Sequence, residues 1–77
     1  MRLEYLILTT SGPVVGDEEV TDRAHACQVL EDAVKRAFGL AHVGEHARAV
    51  RSLCAEMRLA DLPFVFRTAA VSVTLGA

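Results

Sequence analysis

The 77-residue sequence is poor in aromatic residues and in cysteine. It contains no tryptophan, one tyrosine and three phenylalanines, so we expect a core of leucine, valine, alanine and isoleucine. The two cysteines, Cys27 and Cys54, form no C-x-x-C pair, which argues against a disulfide framework. The sequence also has no phosphate-binding glycine loop, nucleophile elbow, dinucleotide fingerprint or EF-hand loop. The common signatures of catalysis are therefore missing.

Long apolar runs are missing as well. No run approaches the roughly 20 residues that a membrane-spanning helix needs. The apolar residues at the beginning are interrupted by Glu4 and end at Thr9, which does not fit the apolar segment of a signal peptide. Together with the isolated cysteines, this pattern predicts a cytoplasmic protein without membrane association.

Neither sign of charge is in large excess. Eight lysines and arginines against ten aspartates and glutamates give a formal net charge of −2. A strong basic field supplies most of the affinity of proteins for nucleic acids, so nucleic acid is a poor candidate partner. With 52% apolar and 23% charged residues, the chain has enough apolar side chains to form a buried core and should fold. Its length predicts a single domain, residues 1–77.

The first half of the sequence predicts a strand followed by a helix. The segment 2–10 is rich in strand formers and is apolar on both faces, which is typical of a strand that is covered on both sides. Ser11-Gly12-Pro13 ends this strand. Val14-Val15 either pairs back with the same strand or leads into the following segment. The carboxylates at 17–19 suit the positive end of a helix dipole.

The first predicted helix has Asp17 or Thr21 as its N-cap and ends at Phe38, with Gly39 as the residue that stops it. A second helix begins between residues 41 and 45 and ends before Pro63. Apolar residues recur at helical spacing in both segments: Val20, Ala24, Cys27, Leu30, Val34 and Phe38 in the first, and Ala47, Val50, Leu53, Cys54, Met57 and Ala60 in the second. The short connection between them indicates an antiparallel helix pair.

The segment 64–75 returns to strand chemistry, with Val71, Val73 and Leu75 alternating with polar residues. The predicted fold is therefore α+β, with the order strand, helix, helix, strand and the helix pair packed on a small antiparallel sheet. A two-stranded sheet is barely stable and leaves two open edges. We therefore expect a homodimer, in which a second copy completes the sheet edge to edge or packs on its face.

One short string could carry metal chemistry. His42-Val43-Gly44-Glu45-His46 matches the H-x-x-E-H signature and resembles the inverzincin metallopeptidases over these five residues. The resemblance implies that His42 and His46 bind Zn²⁺ and that Glu45 acts as a general base. The alternative is a solvated helix start, in which Glu45 favours the N-terminus and pairs with Arg48. Gly44 favours this alternative, because glycine weakens a helix.

The cysteines and the arginines of the second helix have structural and functional interpretations too. Cys27 and Cys54 lie on the apolar stripes and could meet across the helix pair. They could serve as small buried hydrophobes, as a redox pair, or as a nucleophile beside His25 or His46.

Arg48, Arg51 and Arg58 lie on the outer face of the second helix. They are either a solvated surface or a stripe that binds phosphates or an acidic protein.

Binding is favoured over catalysis by this sequence, so no catalytic residue and no cofactor is predicted. The leading hypothesis is a noncatalytic protein–protein interaction module that forms a homodimer and recognises a larger protein. It would act as an adaptor, a small subunit or an inhibitor of a larger complex. Its small size and lack of catalytic motifs also suit a bacterial or phage-encoded inhibitor. The alternatives are a small zinc protein or metal-dependent hydrolase using His42, Glu45 and His46, and a weak nucleic-acid binder using Arg48, Arg51 and Arg58.

Overall fold

The computed structural model describes the backbone of residues 1–38 and 45–77 and the side chains of the same residues except 45–47. Its elements are the strands β1 (Arg2–Thr9) and β2 (Gly12–Glu19), the helices α1 (Arg23–Phe38) and α2 (Glu45–Leu59), and the strands β3 (Phe64–Arg67) and β4 (Val71–Gly76). The predicted α+β class is confirmed.

The four strands form one antiparallel sheet in the order β2-β1-β4-β3. The central pair joins the first and the last strand of the chain, with Leu3 opposite Leu75 and Ile7 opposite Val71. The antiparallel pairing of these strands was predicted, but the expectation of only two strands is wrong. A hairpin at each end of the chain supplies one additional strand, so the sheet does not need a second copy to reach four strands.

The first hairpin corrects the predicted beginning of α1. Its turn is stabilised by Thr9, whose hydroxyl donates to the Gly12 carbonyl oxygen at 2.7 Å and accepts from the Ser11 N–H at 3.1 Å. Gly12 has φ 117°, a backbone conformation that residues with a Cβ rarely adopt. The chain then pairs back along β1 as far as Glu19. The carboxylates at 17–19 therefore belong to an edge strand and not to a helix.

Asp22 is the N-cap of α1. Its Oδ1 accepts a hydrogen bond from the His25 backbone N–H at 2.8 Å, which satisfies one of the free amides of the first turn. The predictions of Asp17 or Thr21 in this role are wrong. The predicted end of the helix at Phe38 is confirmed, whereas Gly39 and the connection to residue 44 lie outside the described residues.

The two helices are antiparallel. The Arg23 guanidinium, at the beginning of α1, donates to the backbone carbonyl of Arg58, near the end of α2, at 3.0 Å. One turn further into the pair, the Cys27 thiol donates to the Cys54 carbonyl oxygen at 3.8 Å. The predicted apolar stripe of α1 is confirmed from Cys27 onward, but Ala24 is exposed and Ala26 is buried in its place.

Both helices lie on the same face of the sheet, and the core fills the space between them. Among the described residues it contains no buried polar or charged side chain. Its members are Leu3, Tyr5, Ile7, Val20, Ala26, Cys27, Leu30, Ala33, Val34, Val50, Leu53, Cys54, Met57, Phe64, Val71, Val73 and Leu75. The expected mainly aliphatic core is confirmed.

The segment expected to form one final strand folds as a hairpin. Thr68 turns the chain between β3 and β4, since its hydroxyl accepts from the Val71 N–H at 3.1 Å and the Ala70 N–H at 3.3 Å. Phe66 then lies opposite Val73, and Phe64 lies opposite Leu75. The turn at Thr68 therefore makes β3 a separate strand, which places Phe64 on the core side of the sheet.

Tyr5 and Gly16 form the tightest fit in the sheet. They are opposite each other in the β1–β2 pair, and the buried Tyr5 ring lies across the position where Gly16 has no side chain. A Cβ added at Gly16 would overlap with the carbon atoms of the Tyr5 ring. The ring is held further by its hydroxyl, which accepts from the Arg36 guanidinium at 3.4 Å.

We predict that Gly16→Ala lowers the free energy of unfolding by about 1–3 kcal/mol, because the Tyr5 ring must leave its place. Urea denaturation measures the change. The control is Gly76→Ala, where the nearest atom to a new Cβ is the Arg2 carbonyl oxygen at 3.9 Å. In a Tyr5→Leu background the cost of Gly16→Ala should largely disappear, and an undiminished cost would contradict the contact.

We also predict that Asp22→Ala lowers the free energy of unfolding by about 1 kcal/mol, since the first turn of α1 loses its cap. Asp17→Ala is the control, because Asp17 lies on an exposed strand and caps nothing. Thermal denaturation of both variants compares the two sites. A larger loss for Asp17→Ala than for Asp22→Ala would place the start of the helix earlier in the chain than the structure does.

Candidate protein-interaction surface

The face of the sheet opposite the helices is exposed, and we call it the open face. Side chains alternate between the two faces along each strand, so every second residue of β1 is buried and the others project outward. The expectation that β1 is covered on both sides is therefore wrong for the single chain. The open face consists of Arg2, Glu4, Leu6, Leu8, Pro13, Val15, Asp17, Glu19, Val65, Arg67, Ser72 and Thr74.

The open face holds most of the exposed bulky aliphatic side chains of the described residues. Leu8 is 45% exposed, Val15 66% and Val65 53%, and the fourth such residue is Leu59 at the end of α2. Half-buried Leu6 lies directly opposite Val15 and beside Leu8 on β1, so these three form one apolar area. Val65 lies on the other edge strand, opposite Thr74. Clustered apolar side chains on a sheet face, as opposed to scattered ones, mark a surface that a partner can cover.

A shallow depression of about 420 Å³ crosses the middle of this face. Its floor is formed on β4 by the short side chains of Ser72 and Thr74. Arg67, which is opposite Ser72, borders it on one side, and Glu4, which is opposite Thr74, borders it on the other. The depression therefore has hydroxyl groups at the bottom and opposite charges at its two borders.

The charges are unevenly distributed across the strands. Glu4, Asp17 and Glu19 lie on the β1–β2 side, whereas the β3 side has Arg67. Within the acidic side, Arg2 binds Asp17 at 2.6 Å and approaches Glu19 at 3.7 Å. The hydrogen bond and charge of Arg2 lower the pKa of Asp17. Exposed pairs of this kind contribute little to stability, so they mainly set the charge pattern of the surface.

Two charged groups of the open face have no ion-pair partner within the described part of the chain. They are Glu4 and Arg67. Both side chains are exposed. Their charges are thus available to another molecule.

The edges of the sheet are less suited to pairing than its face. The Val20 N–H donates to the Met1 carbonyl at 2.9 Å, so by antiparallel alternation the outward backbone groups of β2 belong to residues 13, 15, 17 and 19. Pro13 has no N–H, and residues 17 and 19 are charged, which are two common protections of an edge strand. The other edge, β3, has four residues and follows Pro63.

The predicted arginine face lies on the helix layer. Arg48, Arg51 and Arg58 are exposed, on the side of α2 away from the buried Val50 and Leu53. The structure brings Arg23 to the end of this stripe through its bond to the Arg58 carbonyl. The arginine face and the open face are therefore separate surfaces, on different layers of the molecule.

The zinc hypothesis depends on His42, Glu45 and His46. His42 lies outside the described residues, as do the side chains of Glu45 and His46. Among the residues that are described, no three His, Cys, Asp or Glu side chains are grouped so that they could hold a metal ion. The H-x-x-E-H hypothesis stays a prediction from the sequence.

The two cysteines meet across the helix pair as expected. Both are free thiols and both are buried. Burial, together with the contact to Cys27, raises the pKa of Cys54 to about 12. A nucleophilic cysteine requires a lowered pKa, so the environment of Cys54 favours a packing role. His25, named as a possible base, is exposed and accepts a hydrogen bond from the Thr21 N–H at 3.0 Å.

Comparison of the chain with protein-family models, with curated proteins and with solved structures gives no match. In the described part of the chain, no helix is long and apolar enough to cross a membrane.

The sequence-based interpretation missed the open face as a site. It treated both sides of β1 as covered and assigned residues 17–19 to a helix, which left at most Val14-Val15 to pair back along β1. The signal that could have revealed β2 is the turn at Thr10-Ser11-Gly12, followed by Val14 and Val15. Arg67 had no apparent role until the register placed it opposite Ser72.

We predict that Cys54 reacts slowly with iodoacetamide at pH 8 in the folded protein. The raised pKa keeps the thiol protonated at that pH, and the thiolate is the reactive form. A Cys27→Ala variant makes Cys54 the single thiol; it removes the contribution of Cys27 to the raised pKa and keeps burial, which is the largest cause. Intact-mass measurement follows the alkylation. The same variant in urea is the control and should react as an ordinary free cysteine. Equal rates in the folded and unfolded protein would contradict the buried, protonated thiol.

Proposed function

We propose that this protein is a noncatalytic protein–protein interaction module and that the open face is its binding surface. The observation that supports this proposal most strongly is that Leu8, Val15 and Val65, three of the four exposed bulky aliphatic residues of the described chain, project from one face of one sheet. Leu8 and Val15 form a continuous apolar area there together with Leu6. Isolated apolar residues on a surface are ordinary, but a cluster bordered by charges is typical of an interface.

The composition of the open face supports a protein partner. Leu6, Leu8 and Val15 form an apolar area on the β1–β2 side, and charged side chains and the hydroxyl groups of Ser72 and Thr74 lie beside it, so the face mixes apolar and polar groups as many interfaces do. The depression over Ser72 and Thr74 is shallow and has few walls, whereas sites for small molecules are concave and enclose most of the ligand. An extended, mixed surface of this kind suits another protein surface better than a small substrate.

The role of such a module in the cell is that of an adaptor, a small subunit or an inhibitor of a larger complex. The arginine face is the competing surface for the same role, because it is exposed and cationic. It would select an acidic protein surface or a phosphate backbone. The two surfaces can be tested separately because they lie on different layers of the fold.

We predict that a photo-crosslinking amino acid at position 15 or 65 forms protein adducts in cells, whereas one at position 51 on α2 does not. All three positions are exposed, so each replacement should leave the thermal transition nearly unchanged. Adduct masses on denaturing gels give the result. Within the position-15 protein, Val65→Ser should reduce the adducts because it removes apolar contact area.

Three outcomes would change the proposal. Adducts that form at position 51 alone would transfer the binding surface to the arginine face. The absence of adducts at every position would contradict the interaction module itself. Adducts at position 15 that persist after Val65→Ser and Leu8→Ser would show a contact that does not depend on these exposed apolar side chains.

A further inference from the structure

We propose that Cys27 and Cys54 form a disulfide bond when the protein meets an oxidising thiol–disulfide buffer, and that this bond joins α1 to α2 and stabilises the fold. In the reduced protein the two thiols pack as small hydrophobic groups. The proposal concerns the helix layer, so it is independent of the open face. A single cross-link between two helices does not need the disulfide framework that the cysteine spacing argues against.

The fold brings the two thiols of the sequence into contact. They are 27 positions apart along the chain, yet the Cys27 thiol reaches the Cys54 backbone carbonyl oxygen at 3.8 Å. The two side chains also contact each other between α1 and α2. Both thiols are free, and Cys27 is 2% and Cys54 4% exposed. Bond formation brings the sulfur atoms from this contact to a covalent distance of about 2.0 Å.

The neighbouring contacts keep the helices aligned at this place. One turn toward the end of the pair, the Arg23 guanidinium donates to the Arg58 carbonyl oxygen at 3.0 Å. In the other direction, the next buried residues on the two helices are Leu30 and Val50, which belong to the same core. Both cysteines therefore lie inside the packed part of the helix pair and not at a fraying end.

The expected effect of the bond is on stability. It would close the loop from residue 27 to residue 54, and closing such a loop lowers the conformational entropy of the unfolded chain. With 77 residues, the protein is near the size at which small domains often depend on a cross-link or a metal. We expect oxidation to raise the midpoint of thermal unfolding by at least about 5 °C.

The reaction needs an external oxidant, and a low-molecular-weight disulfide such as oxidised glutathione is sufficient. The Cys27 sulfur loses its proton to water and attacks one glutathione sulfur, which forms a mixed disulfide and releases one glutathione thiolate. The Cys54 sulfur then loses its proton, attacks the Cys27 sulfur and displaces the second glutathione. Two protein thiols are thereby oxidised to one disulfide, and one glutathione disulfide is reduced to two thiols.

The buried position of the thiols makes this reaction slow. The oxidant can reach them only when the helix pair opens locally. Burial also raises the pKa of Cys54 to about 12, so that its reactive thiolate is scarce near neutral pH. The oxidation should therefore be followed at equilibrium and not by its rate.

The experiment compares the oxidation equilibrium of the folded protein with that of the protein in urea. The wild type is incubated in buffers with different ratios of oxidised to reduced glutathione, starting from the reduced and from the oxidised protein. Intact-mass measurement after acid quenching gives the fraction that has lost two hydrogen atoms. A bond that stabilises the fold must form more readily in the folded state, by the same factor. We expect the equilibrium constant for oxidation to be at least about tenfold larger in the folded protein.

A matched variant keeps two thiols but separates them. Cys54→Ala combined with Ser52→Cys moves the second thiol to an exposed position of α2, and residues two apart on a helix do not share a face. The oxidation of this variant should be no more favourable in the folded protein than in urea. Its thermal transition should not rise under oxidising conditions. Cys54→Ala alone measures what the loss of the buried thiol costs by itself.

The outcomes decide the inference without reference to the open face. An oxidation constant that is equal or smaller in the folded wild type than in urea would overturn it. So would an oxidised protein that unfolds at the same or a lower temperature than the reduced one. Glutathione adducts on the single cysteines, or disulfide-linked dimers, in place of the intramolecular bond would overturn it too. More favourable oxidation of the folded wild type, absent from the matched variant, supports the bond between the helices.

Discussion

The pairing of β1 with β4 is the constraint on which the rest of the structure depends. It joins residues from the two ends of the chain in one register, with Leu3, Tyr5 and Ile7 opposite Leu75, Val73 and Val71. All six side chains are buried and form the floor on which the helices pack. A shift of one residue in this register would turn the whole set toward solvent, so the buried face fixes the exposed one. The positions of Leu6, Glu4, Ser72 and Thr74 on the open face follow from the same pairing.

The parts of the fold that could be predicted from the sequence are those with an unambiguous periodicity. Helical spacing from Cys27 to Val34 and from Val50 to Met57 places both apolar stripes correctly, and Val71, Val73 and Leu75 mark β4. These segments bury side chains against each other, so their patterns are selected by packing. The same patterns place the two cysteines together between the helices.

The strands that were missed, β2 and β3, have local sequence patterns that fit more than one structure. Three successive carboxylates at 17–19 suit a helix N-terminus, but they equally suit an edge strand that must not pair further. The turn at Thr68 contains neither glycine nor proline, so nothing in the sequence divides residues 64–75 into two strands. The candidate site depends on this information. Glu4 and Arg67 are 63 positions apart along the sequence, and only the register shows that they border one depression.

The central claim is that the open face is an interface, and the methyl groups of its aliphatic residues report on this most directly. Leu8, Val15 and Val65 lie on the open face, whereas Leu59, which is 89% exposed on α2, is a built-in control. Methyl NMR spectra of the protein in cell extract and in buffer should differ at the first three residues and agree at Leu59. A difference at Leu59 with unchanged signals of Leu8, Val15 and Val65 would contradict the account.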